Sequence, residues 1–211
     1  MSIFARSQWK DLFGKALHYL ELKRYNSRTI AQYFRAQGAQ IGEGCVILPK
    51  FLGTEPYLIK LGNRVHIANG VTFITHDGGA AILRDKVTDI QVFGPIVVGD
   101  NCVIGQNVTI FCNVKIGSNT IIGANSVVIS DIPPNTIAMG VPARPFGSVE
   151  KYREKCQERW DAQRPPDAVL EPGESWWDSI HYDENRAKLR RHLMQLFKAE
   201  LGPSSENDAA P

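Results

Sequence analysis

The chain has 211 residues, 43% hydrophobic and 22% charged, with a formal net charge of +2. That length and balance suit one globular domain with appendages, and they exclude the large one-signed field of a nucleic-acid or membrane-surface protein. No run of apolar residues is long enough to read as a spanning segment. The first residues carry Arg6 and Lys10 without the apolar stretch of a signal peptide.

In chain order, residues 9–24 carry Leu12, Ala16, Tyr19, Leu20 and Lys23 at helical spacing. A second helix is predicted from about Arg28 to Gln37, capped by Ser27 and ended by Gly38. Its apolar residues Ile30, Tyr33 and Phe34 would close one end of whatever follows. Residues 1–40 hold seven Lys/Arg against two Asp/Glu, which reads as a solvated helical face rather than a binding patch. We take 1–40 as an N-terminal helical cap.

From Ile41 the pattern changes. Ile41-Gly42-Glu43-Gly44-Cys45-Val46 is a six, and the phase slips from Leu48 to Lys60. It resumes at Leu61-Gly62-Asn63-Arg64-Val65-His66 and breaks again after Phe73. Asp77 to Gly94 is an 18-residue excursion, and a long loop interrupting a rigid repeat more often serves binding than structure. Between 98 and 128 the sixes run unbroken. The first position is always Val or Ile, and the fourth is Asn in all five sixes. The fifth is Cys102, Val108, Val114, Thr120 or Ser126. A strict six fits no helical period. In extended chain, positions one and five point to the same side, and Asn tolerates the positive φ of a corner. Three sixes therefore close one triangular coil, and stacked coils bury a continuous core.

These repeats, followed by Asp131-Ile132-Pro133-Pro134-Asn135 and Gly140-Val141-Pro142-Ala143-Arg144-Pro145, resemble the hexapeptide-repeat acyltransferases, most nearly the sugar and polysaccharide O-acetyltransferases. The match covers about residues 41–147, roughly half the chain. It implies a mainly β fold: a left-handed parallel β-helix of about five coils, flanked by N- and C-terminal α-helices. Spacing alone does not show the hand.

After Pro145 the repeats stop. Residues 148–162 look helical, with Val149, Tyr152, Cys156 and Trp160 on one stripe. Trp176-Trp177 would pack on a neighbouring surface. Asp183 would cap a last helix carrying Leu189, Leu193, Leu196 and Phe197. The tail from Pro203 reads as disordered. Residues 148–211 form a C-terminal helical extension that the resemblance explains least.

Four cysteines, Cys45, Cys102, Cys112 and Cys156, make neither a CxxC pair nor a metal spacing. Cys45 and Cys102 fall where a small buried residue is wanted, and a reduced, cytoplasmic compartment follows. Of five histidines, His76 stands where the repeat gives way to the long loop. In the family resembled, a His at that junction is the catalytic base. His66 falls at an outward position. No His occurs between 77 and 180, so the three-His zinc site of carbonic anhydrases on the same fold is not expected.

The resemblance further implies an acetyl-CoA donor, a saccharide or other small acceptor, and a homotrimer with CoA along the groove between subunits. Gly105, Gln106 and Ala124 match positions that hold the pantetheine arm, and Arg144 matches a family Arg that meets the phosphates. Ser130 stands where a Lys is often seen. Glu55 and Asp77 are expected to contact the acceptor. Neither membrane insertion nor nucleic acid is expected. An antibiotic, amino acid or amino sugar remains open as acceptor, as does a non-catalytic β-helix.

Overall fold

A computed structural model describes residues 20–172 and 179–201 of the chain. Two compact units, Met1–Glu150 and Lys151–Pro211, are distinguished by their internal contacts.

The first unit is a parallel β-helix. Its first face stacks β1 (Gln40–Ile41), β3 (Ile59–Leu61), β6 (Ile96–Val98) and β9 (Val114–Ile116). The second stacks β2 (Val46–Ile47), β4 (His66–Ile67), β7 (Val103–Ile104), β10 (Ile121–Ile122) and β12 (Thr136–Gly140). The third, shorter, stacks β5 (Thr72–Ile74), β8 (Thr109–Phe111) and β11 (Val127–Val128). All these pairings are parallel, with Ile67 on Ile104 and Ile104 on Ile122 as examples of the register. About five coils result, as the repeat predicts. The last turns back on itself where β13 (Ala143–Ser148) pairs antiparallel with β12.

The first-position aliphatics Val98, Ile104, Ile110, Ile116, Ile122 and Val128 are all buried, and so are fifth-position Cys102, Val108, Val114, Thr120 and Ser126. Cys45 is buried as expected and His66 is exposed. The fourth-position asparagines make the corners: Asn101, Asn107, Asn113, Asn119 and Asn125 all have φ between 54° and 61°. Their side chains also join successive coils, Asn101 Nδ2 donating to Asn119 Oδ1 at 2.9 Å and Asn119 Nδ2 to Asn135 Oδ1 at 3.1 Å. Asn119→Ala is therefore expected to cost about 1–2 kcal/mol for left-handed backbone alone, read as a lower urea midpoint. Asn119→Gly loses the ladder without that strain and should cost less.

The first coil would leave strand-edge groups unpaired, and the N-terminal segment satisfies them. Helix α1 (Ile30–Ala36) buries Ile30, Ala31, Tyr33 and Phe34 in the same core as Ile41 and Ile47. Arg35 donates to the carbonyls of Ile41 at 2.8 Å and Gly42 at 2.7 Å, and Ile47 N–H donates to Ser27 O at 2.7 Å. The start of α1 differs from expectation. Asn26, not Ser27, accepts the N–H groups of Arg28 and Thr29. The amide oxygen of Asn26 reaches two and three residues on, as an Asx turn does. Gly38, at φ 94°, ends the helix as predicted. The N–H of Ala39 meets Phe34 O and that of Gly38 meets Arg35 O, the paired bonds of a Schellman ending. Of the helix expected over 9–24 only residues 20–24 are described: 20–22 are helical, and the chain already turns at Lys23 and Arg24.

In the C-terminal part, α2 spans Val149–Gln163 and α3 Tyr182–Leu196, followed by the short α4, Lys198–Leu201. Tyr152 and Cys156 of the anticipated stripe are exposed. Asp183 does not cap α3; His181 holds that place and Asp183 lies in the first turn, where its charge faces the positive helix end. Buried Asn185 clasps the Val169 backbone, its Oδ1 accepting the N–H and its Nδ2 donating to the carbonyl. The Trp176-Trp177 pair and the tail from Pro203 fall outside the described residues. No helix among the described residues is long and apolar enough to cross a membrane.

Candidate active site

His76 follows β5, at the edge where the third face turns toward the first. The long loop is closed at its base by pairing on either side of it. Asp77 N–H donates to Val92 O at 2.8 Å and Gly94 N–H to Thr75 O at 2.9 Å. His76 and Phe93 are bridged antiparallel, their rings 6.2 Å apart and edge to face. The backbone of His76 is thus fixed from both ends of an 18-residue excursion.

The earlier slip in phase supplies its partner. Residues 48–58 leave the helix, and Gly53, at φ 95°, turns the chain back against β5. A Cβ on Gly53 would lie 3.0 Å from Phe73 O. That turn delivers Thr54 and Glu55 to His76. Glu55 Oε2 lies 3.1 Å from His76 Nδ1 and also accepts the Thr75 hydroxyl at 2.5 Å and the Thr54 hydroxyl at 2.7 Å. Its side chain is 13% exposed, against 46% for His76. The Thr75 hydroxyl foremost, then His76 and Thr54, hold the Glu55 carboxyl below the ordinary glutamate value. It is therefore ionised at neutral pH and can only accept hydrogen bonds. The imidazole must present Nδ1–H to it, which leaves Nε2 with a free lone pair.

Gly53→Ala tests this delivery. The added methyl meets both the left-handed φ and the Phe73 carbonyl, so the turn must move and Glu55 with it. A cost of at least about 1 kcal/mol in stability is expected from the backbone alone, together with a fall in activity that donor binding does not share.

A hollow of about 280 Å³ opens beside the pair, lined by Glu55, His76, Asp77, Arg84, Gln91 and Phe93 among others. Asp77 reaches it, although Oδ1 already accepts the Gly79 N–H at 2.8 Å to start a short 3-10 turn. Thr54, Thr75, Arg84 and Phe93 were not singled out from the sequence. Thr75 is buried, and a buried hydroxyl asks for a polar partner, but it falls at the third position of a six, where polar residues are ordinary, and carries no signal of its own. Among the described residues no three His, Cys, Asp or Glu side chains gather as a metal site.

The residues matched to a CoA arm lie elsewhere on the chain. Gly105 stacks directly on the next coil, where a Cβ would meet Ala124 N at 2.6 Å, and the Asn125 N–H donates to Gln106 O at 2.8 Å. These three share the corner between the second and third faces. His76 and Ser130 lie at the opposite edge of the third face, as the pairing of β5, β8 and β11 sets out. Arg144 stands exposed on β13, its Nη1 donating to Ala143 O. The Gly105 N–H itself donates to Ile122 O at 2.8 Å, so within one chain it is committed to the coil.

A family model described as bacterial transferase hexapeptide (six repeats) matches residues 95–130. Protein CapG of Staphylococcus aureus is 45% identical over 130 residues, which cover 60% of this chain and 76% of CapG. The chain belongs to the hexapeptide-repeat acyltransferase family. Its helix is accordingly the left-handed one, with Asn at the corners and Gly where coils touch. Among solved hexapeptide-repeat acetyltransferases, a maltose O-acetyltransferase from Clostridium difficile 630 is 35% identical, with a TM-score of 0.43. The match covers 53% of this chain and 59% of that one. A hexapeptide-repeat acetyltransferase from Vibrio cholerae is 25% identical with a TM-score of 0.46, covering 64% of this chain and 88% of that one.

Proposed function

We propose that this hexapeptide-repeat protein transfers an acetyl group from acetyl-CoA to a hydroxyl of a sugar or polysaccharide precursor, with His76 as general base. The observation that carries the reading is the Glu55–His76 pair, 3.1 Å apart at the mouth of a hollow. A sugar hydroxyl is far too weak an acid to ionise at neutral pH, so its proton must leave as the new bond forms. His76 Nε2 would take that proton while Glu55 holds Nδ1–H and steadies the imidazolium. The hydroxyl oxygen attacks the thioester carbonyl, and the carbon–sulfur bond then breaks. The leaving thiolate recovers the proton from His76, so no acyl-enzyme is needed. Cys102 is buried and serves the core, where burial pushes its thiol up.

Asp77 lines the hollow and keeps its place as an acceptor contact. Glu55 also lines the hollow, and because its Oε2 is committed to three donors, contact with the acceptor would fall to Oε1. For the donor, acetyl-CoA would supply a thioester and an anionic tail. The exposed corner of Gly105, Gln106 and Ala124 suits an extended arm, and Arg144 suits the phosphates. Ser130, on the His76 edge, would lie toward the acyl end. With these residues on opposite edges of one face, a site shared between neighbouring chains of a homotrimer accommodates both.

The test is thiol release from acetyl-CoA against a panel of saccharides, with serine and aminoglycosides as controls. Turnover with a saccharide hydroxyl supports the reading. Turnover confined to an amine or to serine would replace the acceptor class, and no acetyl-CoA binding by calorimetry would remove the donor.

A further inference from the structure

A second hollow adjoins the first, and nothing above assigns it. It has a volume of about 470 Å³ and lies between α1 and the 48–58 excursion, lined by Tyr33, Gln37, Lys50, Phe51, Thr54 and Tyr57 with their neighbours. That size falls within the roughly 300–1,000 Å³ of small-molecule sites. Two features set it apart from ordinary surface. Phe51 is 64% exposed and Tyr57 60% exposed, an unusual outlay of aromatic surface within seven residues. Thr54, which lines this hollow, also donates to Glu55 Oε2 at 2.7 Å and lies 3.4 Å from His76 Nδ1. The two linings thus meet along the chain at the Thr54–Glu55 step.

We infer that this hollow is an acceptor subsite, which holds a further sugar ring of an oligosaccharide whose reacting hydroxyl lies at His76. The inference rests on the saccharide reading above and specifies the acceptor as a chain rather than a single sugar. The chemistry of the lining decides the ligand class. The faces of pyranose rings carry C–H groups that pack on aromatic rings, and their edges carry hydroxyls that need partners. Phe51 and Tyr57 offer the first, while the Gln37 amide and the Tyr57 hydroxyl offer the second. An anionic group would find little here. Lys50 is the one cation of the lining, and its Nζ already donates to Tyr25 O at 2.7 Å. A nucleotide diphosphate is therefore a poorer fit than a neutral glycan.

The backbone here is held in place, so the platform is preformed. Gly38 brings the end of α1 so close that a Cβ would lie 2.9 Å from Tyr57 Cβ. Buried Leu52, between Phe51 and Gly53, pins the excursion to the core. Preorganised contact surface of this kind lowers the ordering cost of binding.

The test compares wild type with the double variant Phe51→Ala/Tyr57→Ala in the full chain. The probes are cellotetraose, maltotetraose and chitotetraose, each beside its monosaccharide. For any probe pair the wild type acetylates, the inference expects a higher kcat/KM for the tetrasaccharide. The double variant should lose about tenfold or more of that value through KM, with monosaccharide turnover unchanged. Phe51→Trp with Tyr57→Phe should restore most of it. Equal loss for both lengths would show a structural effect on Glu55 and overturn the subsite, and so would no loss for either.

A binding arm separates this failure from failure of the catalytic reading. Equilibrium titration of the same tetrasaccharides needs no acetyl-CoA. Saturable binding that the double variant abolishes supports the subsite even if no acetyl transfer is found. Absence of binding for all three tetrasaccharides overturns it. So does a lowered melting temperature with unchanged binding, which would make the aromatic pair a packing surface. Competition by a nucleotide sugar but by no tetrasaccharide would also overturn it.

Discussion

His76→Ala is expected to lower kcat by about 10²–10⁴, the usual worth of a positioned base, while acetyl-CoA still binds with unchanged affinity. The separation follows from the geometry. His76 lies at one edge of the third face and the Gly105–Ala124 corner at the other, so removing the imidazole leaves the proposed donor corner untouched. The backbone is held by the Asp77–Val92 and Gly94–Thr75 bonds, which need no side chain at 76, and the loop should keep its place. Steady-state kinetics beside calorimetric donor binding gives the two readings. His66→Ala is the control: it sits on an exposed position of β4 with no part in the hollow and should change little. Near-normal turnover by His76→Ala with a true acceptor would end the general-base mechanism and leave the fold assignment standing.

The coil was legible because its constraint is local and repeated. Each six must place an aliphatic inward, turn at a positive φ and pass close to the next coil. Only a few residue types meet those demands, so the period is written into residues 98–128. Arg64 shows that the corner is geometry rather than identity: it occupies the same left-handed place as the asparagines, with φ 52°. His76 was legible by its place at the junction with the loop. Glu55 was named as an acceptor contact through the resemblance, but its pairing with His76 was not legible. It lies 21 positions earlier in a segment without phase, and nothing local distinguishes a solvated acid there from one drawn against a histidine. What brings them together is the coil itself, which sets the 48–58 excursion beside the strand that precedes His76. The start of α1 was misread for a related reason. Asn26, Ser27 and Thr29 are all plausible caps by type, and only the path of the chain shows which side chain reaches the N–H groups.

Glu55→Gln carries the second large effect and probes the pair rather than the base alone. The ionised Glu55 carboxylate obliges Nδ1 to carry the proton and leaves Nε2 of the neutral ring as the nitrogen that the proposed mechanism uses to accept the substrate proton. An amide has no such preference. It can turn its NH2 toward Nδ1 and draw the imidazole into the other tautomer, with the proton on Nε2, where it blocks base catalysis. It also withdraws the negative charge that steadies the imidazolium. Replacing the orienting carboxylate by an amide in the Ser-His-Asp triad costs about 10⁴. His76 is 46% exposed, and water there can partly replace the carboxylate, so a loss in kcat on the order of 10²–10³ is expected below that bound. Thr75→Val should act in the same direction but less, since it removes the foremost hydrogen-bond donor to the Glu55 carboxylate while leaving the charge in place. The pH–rate profile tells orientation from simple damage. A positioning role for Glu55 predicts that the acid limb moves in Glu55→Gln while the donor KM stays the same. A fall in kcat with an unmoved acid limb and a weakened donor KM would show instead that Glu55 only holds the 48–58 excursion against the coil.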